Sequence, residues 1–94
     1  MKCDYKAIGR RIAKARQRKG LSQDTFADEL FVSISHISKI EVGSRMPSID
    51  LLYAISEITD ESLDYLVRGK EERRVFKDTL QVAIDVLMDL KKQL

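Results

Sequence analysis

The residues best suited to chemistry lie on one short predicted helix, over residues 33–41. Ile37 and Ile40 mark its inward side, because residues three apart share one face of a helix. The opposite side carries short or basic side chains, which can approach base edges closely. Lysine can donate to guanine, serine can donate or accept, and isoleucine can contact a thymine methyl group. Taken alone, such a face is more often simply solvated. The side chains on this outward face are Ser35, Ser38 and Lys39, with Ile34 at its edge.

Other kinds of chemistry find little support in the composition. His36 is the only histidine and Cys3 the only cysteine, so neither a zinc site nor an intramolecular disulfide is predicted. We find no Ser/His/Asp grouping, no phosphate-cradling glycine loop and no evident carboxylate pair. The chain is therefore expected to be neither an enzyme nor a cofactor protein. With no apolar run near the roughly 20 residues of a membrane span and no signal segment, we expect a cytoplasmic protein away from membranes.

Helical periodicity runs through almost the whole chain and predicts an all-α protein. Ser22 and Ser33 are suitable N-caps, while Gly43 and Pro47 interrupt the pattern after the third helix. Two short helices joined by about three residues have the geometry of a helix-turn-helix, whose second helix enters the major groove of DNA. The predicted helices lie near residues 4–19, 22–30, 33–41, 48–58, 62–67 and 71–93.

The net charge of +2 conceals an asymmetry. Residues 1–45 hold ten Lys and Arg against five acidic residues, whereas residues 46–94 hold seven against ten. A basic half beside an acidic half suggests one side that faces a polyanion and another side with a different task. Arg10, Lys14 and Arg18 contribute to this charge along the first helix, although such a stripe is more often a solvated face.

Several short segments share fixed spacings along the first five predicted helices. They are residues 8–12, 20–23, 26–27, 32–33, 37–48 and 62–66, with Arg16 and Leu51. Through these segments the chain resembles the Cro/C1-type (XRE family) helix-turn-helix domain over about residues 5–69. The resemblance implies a five-helix, lambda-repressor-like domain, found mostly in bacterial or phage repressors and regulators. It also implies a bridge between Arg16 of the first helix and Glu41 of the third, which we interpret as a structural ion pair.

The same resemblance implies roles in binding double-stranded DNA. Gln23 matches a position that holds a backbone phosphate, and Arg45, in a loop with Ser44, matches a segment that meets the phosphate backbone. Phosphate contacts fix the register, and base contacts set the sequence preference. One departure concerns Phe31, which stands where the family often has glycine, so we expect a strained or slightly altered turn. The positions that match contacts to phosphate or bases on the third helix are Ser33, Ile34, Ser35 and Lys39.

The last predicted helix, over residues 71–93, lies outside the resemblance. It carries a heptad seam of about two and a half repeats, and further apolar residues widen its surface. Two arrangements compete: the helix folds back over its own domain, or it pairs with the same helix of another subunit. The breadth of the apolar surface favours both at once. The seam predicted for dimerisation is formed by Phe76, Leu80, Ala83, Leu87 and Leu90.

These observations predict a helix-turn-helix DNA-binding domain over residues 5–69 and a dimerising helix over residues 71–93. As a homodimer, the chain is expected to bind an inverted-repeat operator and regulate transcription, most simply as a repressor. The alternative is a protein-interaction module, antitoxin-like or regulator-binding, in which the last helix binds a different protein and DNA contact is secondary.

Overall fold

The computed structural model describes residues 3–93 of the chain, with side chains over residues 3–69 and 80–92. Within residues 3–93 the protein is entirely helical, which confirms the predicted all-α class. Observed helix ends differ from the predicted ones by a residue or so, since residues counted as helical are often caps. The six helices are α1 (Tyr5–Arg18), α2 (Gln23–Leu30), α3 (Ile34–Glu41), α4 (Ile49–Thr59), α5 (Leu63–Arg68) and α6 (Lys70–Gln93).

Each of the first five helices begins after a polar side chain that accepts a hydrogen bond from a backbone N–H three residues further on. These bonds satisfy amide groups that the helix itself leaves free, and one such cap typically stabilises a helix by about 1 kcal/mol. Serine supplies four of the five caps, which explains why the short helices begin where they do. The caps are Asp4, Ser22, Ser33, Ser48 and Ser62.

The core lies where α1 packs against α3, α4 and α5, with α2 closing one side. The predicted inward residues of α3, Ile37 and Ile40, are fully buried. Because these two isoleucines of α3 point into the core, the opposite face of the helix points toward solvent. The largest fully buried side chains are Ile8, Ile12, Phe26, Ile37, Ile40, Ile55 and Leu66.

Arg11 fastens α1 to the end of α5. Its Nε donates to the carbonyl oxygen of Leu66 at 2.9 Å, and its Nη2 donates to that of Val67 at 2.7 Å. The last carbonyls of a helix have no partner within it, so a guanidinium here satisfies two of them. Arg11 is therefore half-buried, and its guanidinium is committed to α5.

The C-terminal end of α1 is held to the same side of the molecule by charge. Arg18 forms an ion pair with Glu61 at 3.2 Å, and Lys19 forms one with Asp60. A hydrogen bond to Tyr65 raises the pKa of the Arg18 guanidinium above its ordinary value. These contacts lie at the surface, where solvent weakens ion pairs. They show that Arg18 points toward α5 and does not extend an open basic stripe.

Helix α6 projects from this domain, and α5 is the element with which it makes its main contacts. Every residue from 80 to 92 is exposed, so the fold-back arrangement expected from the sequence does not occur over this segment. The molecule is accordingly elongated, with principal extents of 56, 33 and 18 Å. Among the described residues, none of the helices combines the length and hydropathy that crossing a membrane requires.

Candidate nucleic-acid interface

The α2–α3 unit has the helix-turn-helix geometry predicted from its spacing. Helix α2 ends at Leu30, and α3 begins at Ile34 after the turn of residues 31–33. Phe31 occupies the left-handed region, with φ 58° and ψ 39°, and its N–H donates to the Asp28 carbonyl at 3.2 Å. The turn therefore has the backbone conformation usually supplied by glycine, although the residue is phenylalanine.

The outward face of α3 is open to solvent in the structure. Ser35 and Lys39 are exposed, Ile34 is 48% exposed, and Ser38 is half-buried. Ser35 and Lys39 lie opposite Ile37, and Ser38 and Ile34 lie toward the edges of that face, so the packing of Ile37 in the core fixes the direction of the face. The face combines hydroxyl groups, one ammonium group and one aliphatic side chain. That combination can hydrogen-bond base edges and contact thymine methyl groups.

Two serines assigned to this interface also hold the ends of α3. The Ser33 hydroxyl oxygen accepts from the His36 N–H at 3.0 Å. The Ser44 hydroxyl donates to the Lys39 carbonyl at 3.1 Å, and the Ser44 N–H donates to the same oxygen at 2.9 Å. Both serines are exposed residues. These hydrogen bonds define where α3 begins and ends. Any contact of the two serines with a ligand would be made in addition to these bonds.

Arg16 and Glu41 form a bidentate ion pair between α1 and the end of α3. Arg16 Nε lies 2.7 Å from Glu41 Oε2, and Arg16 Nη2 lies 3.0 Å from Oε1. Arg16 Nη1 also donates to the Leu21 carbonyl at 2.8 Å. The two side chains are only 11% and 6% exposed. A nearly buried fork of this kind fixes the orientation of α3 relative to α1.

Gln23 is drawn into the same network. Its Nε2 donates to Glu41 Oε1 at 3.0 Å, and the residue is half-buried. The resemblance assigned Gln23 only to a phosphate, whereas here its amide nitrogen already has a protein partner. The second N–H of the amide remains available to an external acceptor. Gln23 therefore links the N-terminus of α2 to the buried ion pair.

Arg45 lies beside α3 and contacts a residue that sequence reasoning left without a role. Its Nη1 is 3.3 Å from His36 Nδ1, and Arg45 is exposed. Because arginine only donates, this contact needs an unprotonated Nδ1 on His36. Helix periodicity alone does not predict the contact between His36 and Arg45. Residue 36 lies in α3 and residue 45 lies in the loop after it, and the path of that loop has no periodic pattern.

Residues with weaker claims lie elsewhere. Arg10 and Lys14 line a shallow pocket with Tyr65 and Gly69, on the side of α1 that faces α5. Cys3 is exposed before the first helix. No group of three His, Cys, Asp or Glu side chains suited to a metal ion occurs among the residues described.

Comparison with known proteins begins with a family model described as Helix-turn-helix, which matches residues 12–66. The uncharacterized HTH-type transcriptional regulator YqaE of Bacillus subtilis (strain 168) is 40% identical to the chain over 67 residues. That match covers 71% of this chain and 58% of YqaE, so the chain spans less than two thirds of this relative.

Two solved structures resemble the chain to different extents. The P22 c2 repressor protein in complex with a synthetic operator has a TM-score of 0.64 and 30% identity, covering 67% of this chain and 96% of that one. The SinR protein/SinI protein complex contains a chain with a TM-score of 0.63 and 28% identity, covering 90% of this chain and 94% of that one. Coverage of 90% must include much of α6, since α6 is 24 residues long.

Proposed function

The chain belongs to the helix-turn-helix family of transcriptional regulators, and from that membership we propose that it binds double-stranded DNA sequence-specifically and represses transcription. The observation that carries the proposal is the outward face of α3, which is open, polar and fixed in direction by buried Ile37 and Ile40. The P22 c2 repressor, similar over 67% of the chain, is bound to an operator. Occupying a promoter blocks transcription without catalysis, in keeping with the non-enzymatic character of the family. A cytoplasmic location fits this function.

Within this interface the side chains take two roles. Base reading falls to the outward face of α3, where Lys39 is the basic member and Ser35 is fully open. Phosphate binding falls to the flanks, where exposed Arg45 contributes charge and Gln23 offers its remaining amide hydrogen. The proposed contacts are Gln23, Ser33, Ile34, Ser35, Ser38, Lys39, Ser44 and Arg45.

We further propose that two chains pair through α6, which makes residues 71–93 a dimerising element beside a DNA-binding domain over residues 5–69. An inverted repeat needs two recognition helices about 34 Å apart, and a symmetric dimer supplies them. The apolar residues of the seam are uncovered in the single chain, which supports a partner there. The seam comprises Leu80, Ala83, Leu87 and Leu90, together with Phe76, whose side chain lies outside the described residues.

A second candidate function is binding of a regulatory protein through α6. The similar SinR chain is found in a complex with SinI protein, and that similarity extends over 90% of this chain. In this case the partner would cover the exposed apolar side of α6, and the α3 face would serve DNA only secondarily. The two functions predict different results with DNA alone.

The experiment is a binding selection from a random duplex library with purified full chain at near-physiological salt. Recovery of one inverted-repeat sequence supports a dimeric DNA-reading regulator and gives the half-site spacing directly. Recovery of no sequence, with binding that disappears as salt rises, means that charge alone is at work and contradicts the proposal.

A matched pair of variants separates the α3 face from general charge. Ser35→Glu adds one negative charge to the centre of the outward face, whereas Thr25→Glu adds the same charge to an exposed position of α2. We expect Ser35→Glu to lose the selected sequence and Thr25→Glu to retain it. Equal loss in both variants would contradict the assignment of this face to base reading.

A further inference from the structure

Phe31 is an apolar residue whose backbone and side chain are both in unfavourable positions. Its side chain is 94% exposed, more than any other large hydrophobic one that the structure describes. Its backbone is left-handed, and in the described part of the chain Asp60 is the other residue besides glycine with a positive φ. Aspartate tolerates this conformation because its short polar side chain can bond locally, whereas a phenylalanine ring cannot. Strained residues of this kind cluster at functional sites.

The turn around Phe31 keeps the ring in solvent. The Phe31 N–H donates to the Asp28 carbonyl at 3.2 Å. The N–H of Val32 donates to the Ala27 carbonyl at 3.1 Å, and the Val32 side chain packs against the core. The backbone is therefore held on both sides of Phe31. Turning the ring inward would break these contacts, so the free protein offers no burial that offsets the strain.

Phe31 lies in the turn that leads directly into the N-terminal end of α3. Recognition helices contact base edges through their N-terminal residues. Ser33 and Ile34, two and three residues after Phe31, already belong to the proposed DNA contacts. Ile34 is also apolar and half exposed. Phe31 and Ile34 thus place two uncovered apolar side chains at the end of α3 that approaches the bases.

We propose that Phe31 contacts the 5-methyl group of a thymine when the chain binds DNA, and so adds one position to its sequence preference. This methyl is the apolar group that base edges present in the major groove, and phenylalanine is among the side chains that contact it. The contact would remove from water a ring that the free protein leaves uncovered. The proposal rests on the proposed DNA-binding function and adds to it a residue that the family resemblance does not assign to DNA.

The charges near Phe31 favour a base contact over a phosphate contact. Asp28 and Glu29, just before it, are exposed acidic residues. Residues 28–34 contain no lysine or arginine that could attract a phosphate. Any affinity contributed by this turn must therefore come from apolar contact, and it should not depend on salt.

The test uses the duplex recovered from the library selection. Each thymine of one half-site is replaced in turn by uracil, which lacks only the 5-methyl group. The wild-type affinity should fall about fourfold at the thymine that Phe31 contacts. Phe31→Ala should bind the original duplex more weakly and should lose its sensitivity to that one replacement. The proposal is overturned if Phe31→Ala keeps wild-type sensitivity at every thymine, or if the selected half-site contains no thymine.

Two further alanine variants serve as controls. Ile34→Ala should lose sensitivity at a different thymine, which shows that the assay separates neighbouring apolar contacts. Tyr53→Ala removes an exposed aromatic ring from α4, outside the proposed interface, and should keep the wild-type pattern. Phe31→Ala retains a Cβ in the turn and loses little packing, so its circular dichroism spectrum should match that of the wild type. Equal loss in Phe31→Ala and Tyr53→Ala would contradict a specific role for Phe31.

Salt dependence distinguishes the remaining outcomes. Phe31→Ala removes no charge, so a plot of log affinity against log salt should keep its wild-type slope. Equally weaker binding to all sequences would place the ring on the sugar–phosphate backbone and overturn the thymine contact. Unchanged affinity would overturn any contact of the ring with DNA and point to a partner protein. Either result leaves the proposed function intact if the selection recovers one sequence, whereas recovery of no sequence contradicts both proposals.

Discussion

The α-carbon of Gly9 in α1 lies so close to the backbone of α3 that a Cβ atom there would stand 2.6 Å from the carbonyl oxygen of Glu41. The carbonyl oxygen of Ile40 would be closer still. Neither obstacle is a flexible side chain, so one of the two helices would have to move. Gly9 therefore sets the distance between α1 and α3, the helix whose other face is proposed to read DNA.

We accordingly expect Gly9→Ala to destabilise the protein. Alanine normally stabilises a helix by about 1 kcal/mol relative to glycine, so a loss would run against helix propensity. The overpacking should lower the free energy of unfolding by about 1–3 kcal/mol, measured by urea denaturation. Lys14→Ala, an exposed change on the same helix, is the control and should change stability little. A more stable Gly9→Ala variant would show that α1 and α3 are not in such close contact.

A second prediction concerns the buried ion pair. Glu41→Ala leaves the Arg16 guanidinium nearly buried without its carboxylate, so the free energy of unfolding should fall by about 3–5 kcal/mol. Glu29→Ala removes the same group from an exposed position of α2 and should have a small effect. A double-mutant cycle with Arg16→Ala should show strong coupling. Independent, additive losses would mean that the pair does not act as a unit.

The contact between Arg16 and Glu41 is one that the sequence predicts. Arg16 and Glu41 each flank an apolar stripe, so periodicity and resemblance together point to their meeting. The participation of Gln23 was not predictable, because it depends on where the N-terminus of α2 lies relative to the end of α3. The contact between His36 and Arg45 was missed for the same reason: it joins a helix to a loop whose path no periodic pattern specifies.

For helix α6, the sequence predicts the helix but not what covers it. Its apolar pattern predicted a helix that must be covered, and the helix is present. The pattern could not decide between cover from its own domain and cover from another chain, because both bury the same side chains. The exposure of residues 80–92 removes the first alternative for that segment.

The third prediction is that Lys39→Ala weakens specific binding selectively. Lys39 is the exposed basic residue on the outward face of α3, where a lysine can donate to guanine O6 or N7. Affinity for the selected sequence should fall by about 1–3 kcal/mol, with relaxed preference at one base pair. Competition measurements on the selected and on random duplex provide the check. Equal loss on both would remove Lys39 from base reading.

Arg45→Ala should behave differently, because a phosphate contact carries no sequence information. We expect weaker binding to all sequences, and a plot of log affinity against log salt should flatten by about one unit of slope. His36→Ala removes the partner of Arg45 but keeps its charge, so it should leave the slope nearly unchanged. If Arg45→Ala leaves the slope at the wild-type value, Arg45 does not contact phosphate.

The last prediction addresses Phe31, which combines two unfavourable features. Its backbone is left-handed, which costs a residue with a Cβ roughly 1–2 kcal/mol, and its ring is 94% exposed and so gains little from burial. Phe31→Gly relieves the first cost and loses almost no packing. After glycine's additional loss of chain entropy, the protein should gain about 0.5–1 kcal/mol of stability. Phe31→Ala keeps the backbone cost and should show no such gain, which makes it the matched control. Thermal unfolding followed by circular dichroism measures the stability of both variants.

If Phe31→Gly is instead less stable, the ring packs against the protein in solution. If it is more stable but binds the selected DNA less tightly, the strain is retained for the sake of a contact made by the ring.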